Sequence, residues 1–313
     1  MTCNRPHTLV TGASSGIGRA TALRLAAAGH HVFAGVRRQV DGGELARAAS
    51  DGEVTPVLLD VTDPRQIADG VATVSEHAGA GLDGLVDNAG IGLACPTELL
   101  PLDTFRRLLE VNVTGQLAVT QAFLPMVRRA RGRIVVIGTI GVRFGPPFAG
   151  ALDATKAALT ALSDALRQEL TPWGVRVILV EPASINSAAP DKVLRDAEAA
   201  MAAASPSGRS LYQESLTRML AVMLRRERDG SVPEVAAETI VEALTSRRPR
   251  AHYLAGKNAR GLSMISRLPT PAADAVRRRI FRLPAPDSLT AARPSRDVVA
   301  SAGGATWRAS SPR

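Results

Sequence analysis

Lysine, aromatic side chains and cysteine are all scarce in this chain of 313 residues, and each scarcity narrows its function. The two cysteines, Cys3 and Cys95, suit neither a disulfide framework nor a zinc site, so no metal centre is expected and a reducing, cytoplasmic setting is the simpler expectation. Aromatics make up 3% of the chain, too few for a basic face interleaved with stacking rings, and nucleic acid is not an expected partner. The net charge of +9 does not change this: ten arginines against three aspartates lie from Arg260 onward, so residues 1–259 carry only +2. No apolar stretch reaches the ~18 residues that span a bilayer, since each is broken by Arg, Asp, Gly or Pro. Met1 to His7 leads straight into an apolar run with no secretory pattern.

What is present is an alternation. Short β-rich runs are expected at Thr8 to Thr11, Val32 to Val36, Thr55 to Leu59, Gly84 to Asp87, Arg133 to Gly138, Val175 to Val180 and His252 to Ala255. Helical patterns separate them, among them Gly16 to Ala28, Pro64 to His77, Thr104 to Ala130 (bent at Pro125) and Leu152 to Thr171. This spacing predicts an α/β, Rossmann-type, doubly wound parallel sheet of about seven strands with helices on both faces. Ala154, Ala158, Ala161 and Ala165 recur at three and four residues, giving a small-residue helix face that suits either its own sheet or a second subunit.

One domain over residues 1–260 accounts for this pattern. Within it, residues 190–228 are helical, Ala-rich and carry Met201, Met219 and Met223, which suits a substrate lid; an amphipathic pair covering core is the alternative. Residues 261–283 form a helical extension containing the basic segment Ala272 to Leu283. The Ala/Ser/Pro/Arg mixture of residues 284–313 is expected to be a disordered tail.

Between the first strand and first helix stands Thr11-Gly12-Ala13-Ser14-Ser15-Gly16-Ile17-Gly18, a turn whose glycines let backbone amides close on a pyrophosphate at a helix N-terminus. The T-G-x-x-x-G-x-G spacing resembles the fingerprint of the short-chain dehydrogenase/reductase family. Further resemblances follow in order: Asp60-Val61 as the adenine-contacting pair, Asn88-Ala89-Gly90 as the N-A-G motif, Asn112 as the helix asparagine of the catalytic tetrad, and Lys156 as its lysine, on a chain with only three lysines. The likeness covers about residues 7 to 260. It implies a cofactor site formed by Gly12, Ser14, Ser15, Gly16, Ile17, Gly18, Asp60, Val61, Asn88, Ala89, Gly90 and Lys156, with Ile185 near the nicotinamide carboxamide, and it implies a homo-oligomer.

The end of strand two reads Gly35-Val36-Arg37-Arg38, without the acid that would hold a ribose 2′-hydroxyl; Arg37 therefore favours NADP over NAD. The tetrad itself is broken. In the family a tyrosine stands four residues before the lysine and a serine thirteen before the tyrosine; those places hold Leu152 and Thr139. Threonine keeps a donor hydroxyl, whereas leucine has no proton to give, and loss of a general acid lowers rates by roughly 10²- to 10⁴-fold. Asp153, three residues before Lys156, can replace it or merely pair with that lysine; Tyr212 in the lid or a water relay are further options, and Tyr253 reads as structural. Ala183 stands where the family has glycine, which strains the loop if the position needs positive φ. The expected function is an NADP-dependent oxidoreductase acting on a hydroxyl or carbonyl of a lipophilic small molecule, with Asn112, Thr139 and Lys156 as catalytic candidates. A non-redox cyclase, isomerase or dehydratase, and a cofactor binder without catalysis, are the alternatives.

Overall fold

The computed structural model describes residues 5–49, 52–79 and 81–285. Seven strands form one all-parallel sheet in the order β3-β2-β1-β4-β5-β6-β7: β1 (His7–Val10), β2 (His31–Val36), β3 (Glu53–Leu58), β4 (Gly84–Asp87), β5 (Arg133–Ile137), β6 (Arg176–Pro182) and β7 (His252–Ala255). All seven expected strands are present, β4 and β7 with the expected ends and the others displaced by at most two residues. The order reverses between β1 and β4, which opens a crevice at their carboxyl ends, where α/β sheets bind ligands.

The helices flank this sheet: α1 (Gly16–Ala27), α2 (Gln39–Ala48), α3 (Pro64–Ala78), α4 (Leu102–Leu109), α5 (Gln116–Ala130), α6 (Gly141–Phe144), α7 (Gly150–Glu169), α8 (Ala189–Ala203), α9 (Pro206–Arg228), α10 (Pro233–Thr245), α11 (Ala259–Ile265) and α12 (Thr270–Phe281). Because successive strand residues face opposite sides, the apolar runs fill two cores at once. Leu9, Phe33, Leu85 and Ile134 meet α3, α5 and α7 through Val74, Phe123 and Leu159 on one face, while Val10, Val32 and Val135 meet α1 and α10 through Leu25 and Ile240 on the other. Asp63 caps α3 by accepting the amides of Arg65 and Gln66, ahead of Pro64 at the first turn.

The fold adds detail to three of these readings. The run expected as one helix that passes through Pro125 does continue past it, and it also carries a widened π-helical turn at Glu110–Gly115 that joins α4 to α5. A π turn shifts the helical register locally and re-aims its side chains, here those around Asn112. The methionines of the insertion are not an open ligand surface: Met201 and Met219 are buried in a third core with Leu216, Leu220, Leu262, Ile265 and Phe281, so α8, α9, α11 and α12 form a packed cap. Finally, Ala154, Ala161 and Ala165 are exposed, while Thr155, Leu159 and Ser163 take the sheet side of α7, so the alanine face does not pack on its own sheet. Of the expected tail, residues 286–313 lie outside the described residues. No helix among the described residues is long and apolar enough to cross a membrane.

Candidate active site

The crevice is built from the β1–α1 turn. Gly12 and Gly16 have φ of +63° and +54°, a region that penalises any Cβ, and a Cβ on Gly12 would come 2.9 Å from Ala89 Cα. At Gly18 the constraint is space: a Cβ would stand 2.3 Å from the Gly12 carbonyl oxygen. The turn is locked from below. Thr11 Oγ1 accepts the amides of Asn88 (2.9 Å) and Ala89 (3.0 Å), and Asn88 Nδ2 donates to the carbonyls of Thr11 (2.9 Å) and Gly12 (3.2 Å). Ser14 and Ser15 are exposed, and Ser15, the N-cap of α1, caps no amide with its side chain, so the first-turn amides of Gly16, Ile17 and Gly18 are left for an anion. This is a cradle shaped for a dinucleotide pyrophosphate and too tight for side chains.

Around it stand the other expected residues. Asp60 follows β3 and accepts the Thr62 amide at 2.9 Å and hydroxyl at 2.8 Å. Burial alone would raise its carboxyl, but the Thr62 bonds, Arg107 and Arg37 together hold it below the usual carboxylate range. Val61 is buried beside it. The two arginines ending β2 part company: Arg38 pairs with Asp41 through a bond of 2.9 Å from Nε, whereas exposed Arg37 has no hydrogen bond or ion pair among the described residues. Of these two arginines, Arg37 is the one with a free guanidinium among the described residues.

Deeper in the crevice, Lys156 Nζ donates to the Ile137 carbonyl at 2.7 Å and lies 3.7 Å from where a Gly90 Cβ would stand. Burial pulls its ammonium down to about 8, opposed by Asp87. Asp87, fully buried at the end of β4, accepts the Thr120 hydroxyl at 2.6 Å, and burial pushes it up to about 7. Asn112 is buried and spent: Oδ1 accepts the Ile91 amide (2.8 Å), while Nδ2 donates to the Ile91 carbonyl (2.8 Å) and Thr155 Oγ1 (3.0 Å). Its side chain therefore clamps the loop after β4 to α7. Thr139, half-buried at the end of β5, accepts the Gly141 amide at 3.1 Å, which leaves its own hydroxyl proton to offer.

A model of the short chain dehydrogenase family matches residues 6–198. The chain belongs to the short-chain dehydrogenase family. Retinol dehydrogenase 5 of Mus musculus is 36% identical over 286 residues, covering 88% of this chain and 89% of that protein. Estradiol 17-beta-dehydrogenase 2 of Mus musculus is 39% identical over 182 residues, 57% of this chain and 48% of that protein. Among solved structures, a short-chain dehydrogenase from Streptomyces avermitilis is similar at a TM-score of 0.68 and 30% identity, covering 89% of this chain and 95% of that one.

Within this short-chain dehydrogenase the departures have clear surroundings. Leu152 and Val193 of α8 close on Gly92, a Cβ there standing 3.5 Å from Leu152 Cδ2 and 3.2 Å from Val193 Cγ2, so the surroundings of Leu152 there are apolar. Asp153 does not pair with Lys156; its carboxyl turns the other way, toward Gly141, because α7 points residues 153 and 156 at different neighbours. Tyr212 gives its hydroxyl proton to Glu98 and sets its ring edge-on to Phe148 at 6.4 Å, and the Glu98 bond raises its phenol further above the ordinary range. Tyr253 is buried under the Arg250 guanidinium, 4.2 Å from its ring centre, and is structural. Ala183 has no positive φ; its amide donates to Ala255 at 2.8 Å, prolonging the β6–β7 pairing, so the loop carries no strain there.

Sequence reasoning missed Glu227. From the end of α9 it accepts the Ile185 amide at 2.9 Å, tying the residue expected near the carboxamide to the cap. Flanked by Arg225, Arg226 and Arg228, it reads in sequence as one more solvated charge. Also missed was the pair of Arg143 on α6 with buried Glu181, made by three bonds of 2.7–2.9 Å. Its signal was available: a carboxylate inside the apolar run of β6 requires a cation.

Proposed function

We propose that this dehydrogenase interconverts a hydroxyl and a carbonyl on a lipophilic small molecule, using NADP. The observation that carries the reading is the cradle, in which Gly12, Gly16 and Gly18 leave room only for backbone and anion, with Lys156 buried at its far end. When bound there, a nicotinamide dinucleotide supplies or accepts the hydride. Arg37, unpaired beside Asp60, supports a ribose 2′-phosphate as the preferred charge. Lys156 holds the ribose hydroxyls as a point-charge donor, Asn112 fixes the loop opposite, and the free proton of Thr139 steadies the reacting oxygen. The relatives named for retinol and estradiol support an apolar alcohol as substrate, as does the wall formed by Leu152 and Val193. The cap of α8 and α9 serves as the lid over that substrate.

The test is direct. Titrating the protein with NADPH and NADH should give the smaller dissociation constant for NADPH, and incubation with retinoid and steroid alcohols or ketones should change coenzyme absorbance in step with product. Binding without turnover on a broad panel would leave a cofactor-holding protein; a product formed without coenzyme consumption would make it a non-redox enzyme.

A further inference from the structure

We infer that the Asp153 carboxyl takes the part of the absent phenol and passes the proton to and from the reacting oxygen held at Thr139. The inference rests on the oxidoreductase reading above. It starts from position. Asp153 is one residue along α7 from Leu152 and one turn ahead of Lys156, and its side chain lies against the turn that Thr139 itself organises. That turn is shaped to receive it: a Cβ on Gly141 would come 2.3 Å from Asp153 Oδ1, so only glycine leaves the carboxyl its place.

The carboxyl is also uncommitted. Among the described residues its side chain has no hydrogen bond or ion pair, and two neighbouring cations are engaged elsewhere: Arg143 of α6 with Glu181, and Lys156 of α7 with the Ile137 carbonyl. With no cation to offset it, burial pushes the Asp153 carboxyl up to about 7, where a group can both give and take a proton near neutrality. Asp153 is half-buried, so its carboxyl keeps the access to solvent that a proton donor needs for reprotonation. Tyr212, the other acid near the cap, is tied to Glu98 and raised, which makes it the poorer donor.

The step balances. In reduction, the carbonyl carbon receives a hydride with its two electrons from a reduced nicotinamide dinucleotide, the C=O π pair moves to oxygen, and the Asp153 O–H bond breaks to protonate that oxygen. The products are the alcohol, the oxidised dinucleotide and a carboxylate, which solvent reprotonates. Oxidation runs the same transfers backward.

The experiment compares wild type, Asp153→Asn, and Asp153→Asn combined with Leu152→Tyr. In the coenzyme-free protein, infrared difference titration should show a protonated carboxyl band at pH 6 that is absent from Asp153→Asn. With coenzyme and a lipophilic ketone, Asp153→Asn should lose roughly 10²- to 10⁴-fold in kcat while its NADPH dissociation constant stays unchanged, and the added phenol should restore much of the rate. A wild type that binds coenzyme yet never turns over overturns the oxidoreductase reading and this inference with it. A wild type that turns over while Asp153→Asn keeps its rate overturns the inference alone, as does a carboxyl signal at pH 6 that is the same in wild type and Asp153→Asn, since the Asp87 band is common to both.

Discussion

Gly18 leaves the space that the side-chain amide of Asn88 occupies: a Cβ on Gly18 would stand 2.4 Å from Asn88 Nδ2. Since that amide fastens the carbonyls of Thr11 and Gly12, any side chain at Gly18 displaces the strap that shapes the cradle. Gly18→Ala should therefore weaken coenzyme binding by tenfold or more, ~1.4 kcal/mol or above, and lower stability by about 1–3 kcal/mol. Calorimetric titration and urea unfolding measure the two effects; unchanged binding would show that the cradle tolerates the methyl.

Arg37 is the unpaired cation at the end of β2. Arg37→Glu should raise the dissociation constant for NADPH by about tenfold or more, from loss of a charge-assisted bond of ~1.5–3 kcal/mol, and leave NADH binding equal or tighter. Fluorescence titration with both coenzymes checks it, and equal losses for the two would remove the assignment.

Arg143 is the cation that Glu181 requires, because that carboxylate is only 1% exposed. Arg143→Ala leaves the charge buried and should destabilise the fold by about 3–5 kcal/mol. The double change Arg143→Ala with Glu181→Leu should recover much of this. Urea denaturation of the three proteins decides whether the pair or only the arginine stem matters.

Asp87 has a folded-state carboxyl raised by burial to about 7. The folded state then favours its neutral form, so this group's contribution is complete below pH ~4 and is lost as pH rises through about 7. Wild type should consequently lose melting temperature relative to Asp87→Asn between pH 4.5 and 7.5, as circular dichroism can follow. A gap that stays constant with pH would show that Asp87 is charged throughout.

Ala154, Ala161 and Ala165 make an exposed face along α7 that fits close approach of another helix. If this face joins subunits, Ala161→Arg should lower the mass seen by light scattering to that of one chain, with coenzyme binding retained.

Much of the fold was legible because apolar runs broken by Gly and Pro turns leave few alternatives: each of the seven strands could be placed within two residues. The phosphate cradle was equally legible, since glycine spacing expresses a backbone requirement that no other residue meets. Side-chain pairing was not. Nothing in Asp153 and Lys156, three apart on one helix, shows that one turns to Gly141 and the other to Ile137. Glu227, set among arginines, gives no hint that it holds the Ile185 amide.

The order of residues by itself determined the parallel sheet and the anion-binding turn, because these follow from local periodicity and from missing Cβ atoms. Only the tertiary structure decided which charges are paired and which amides are spent. Those outcomes depend on groups far apart in the chain meeting where water is excluded, and burial there sets both their partners and their protonation.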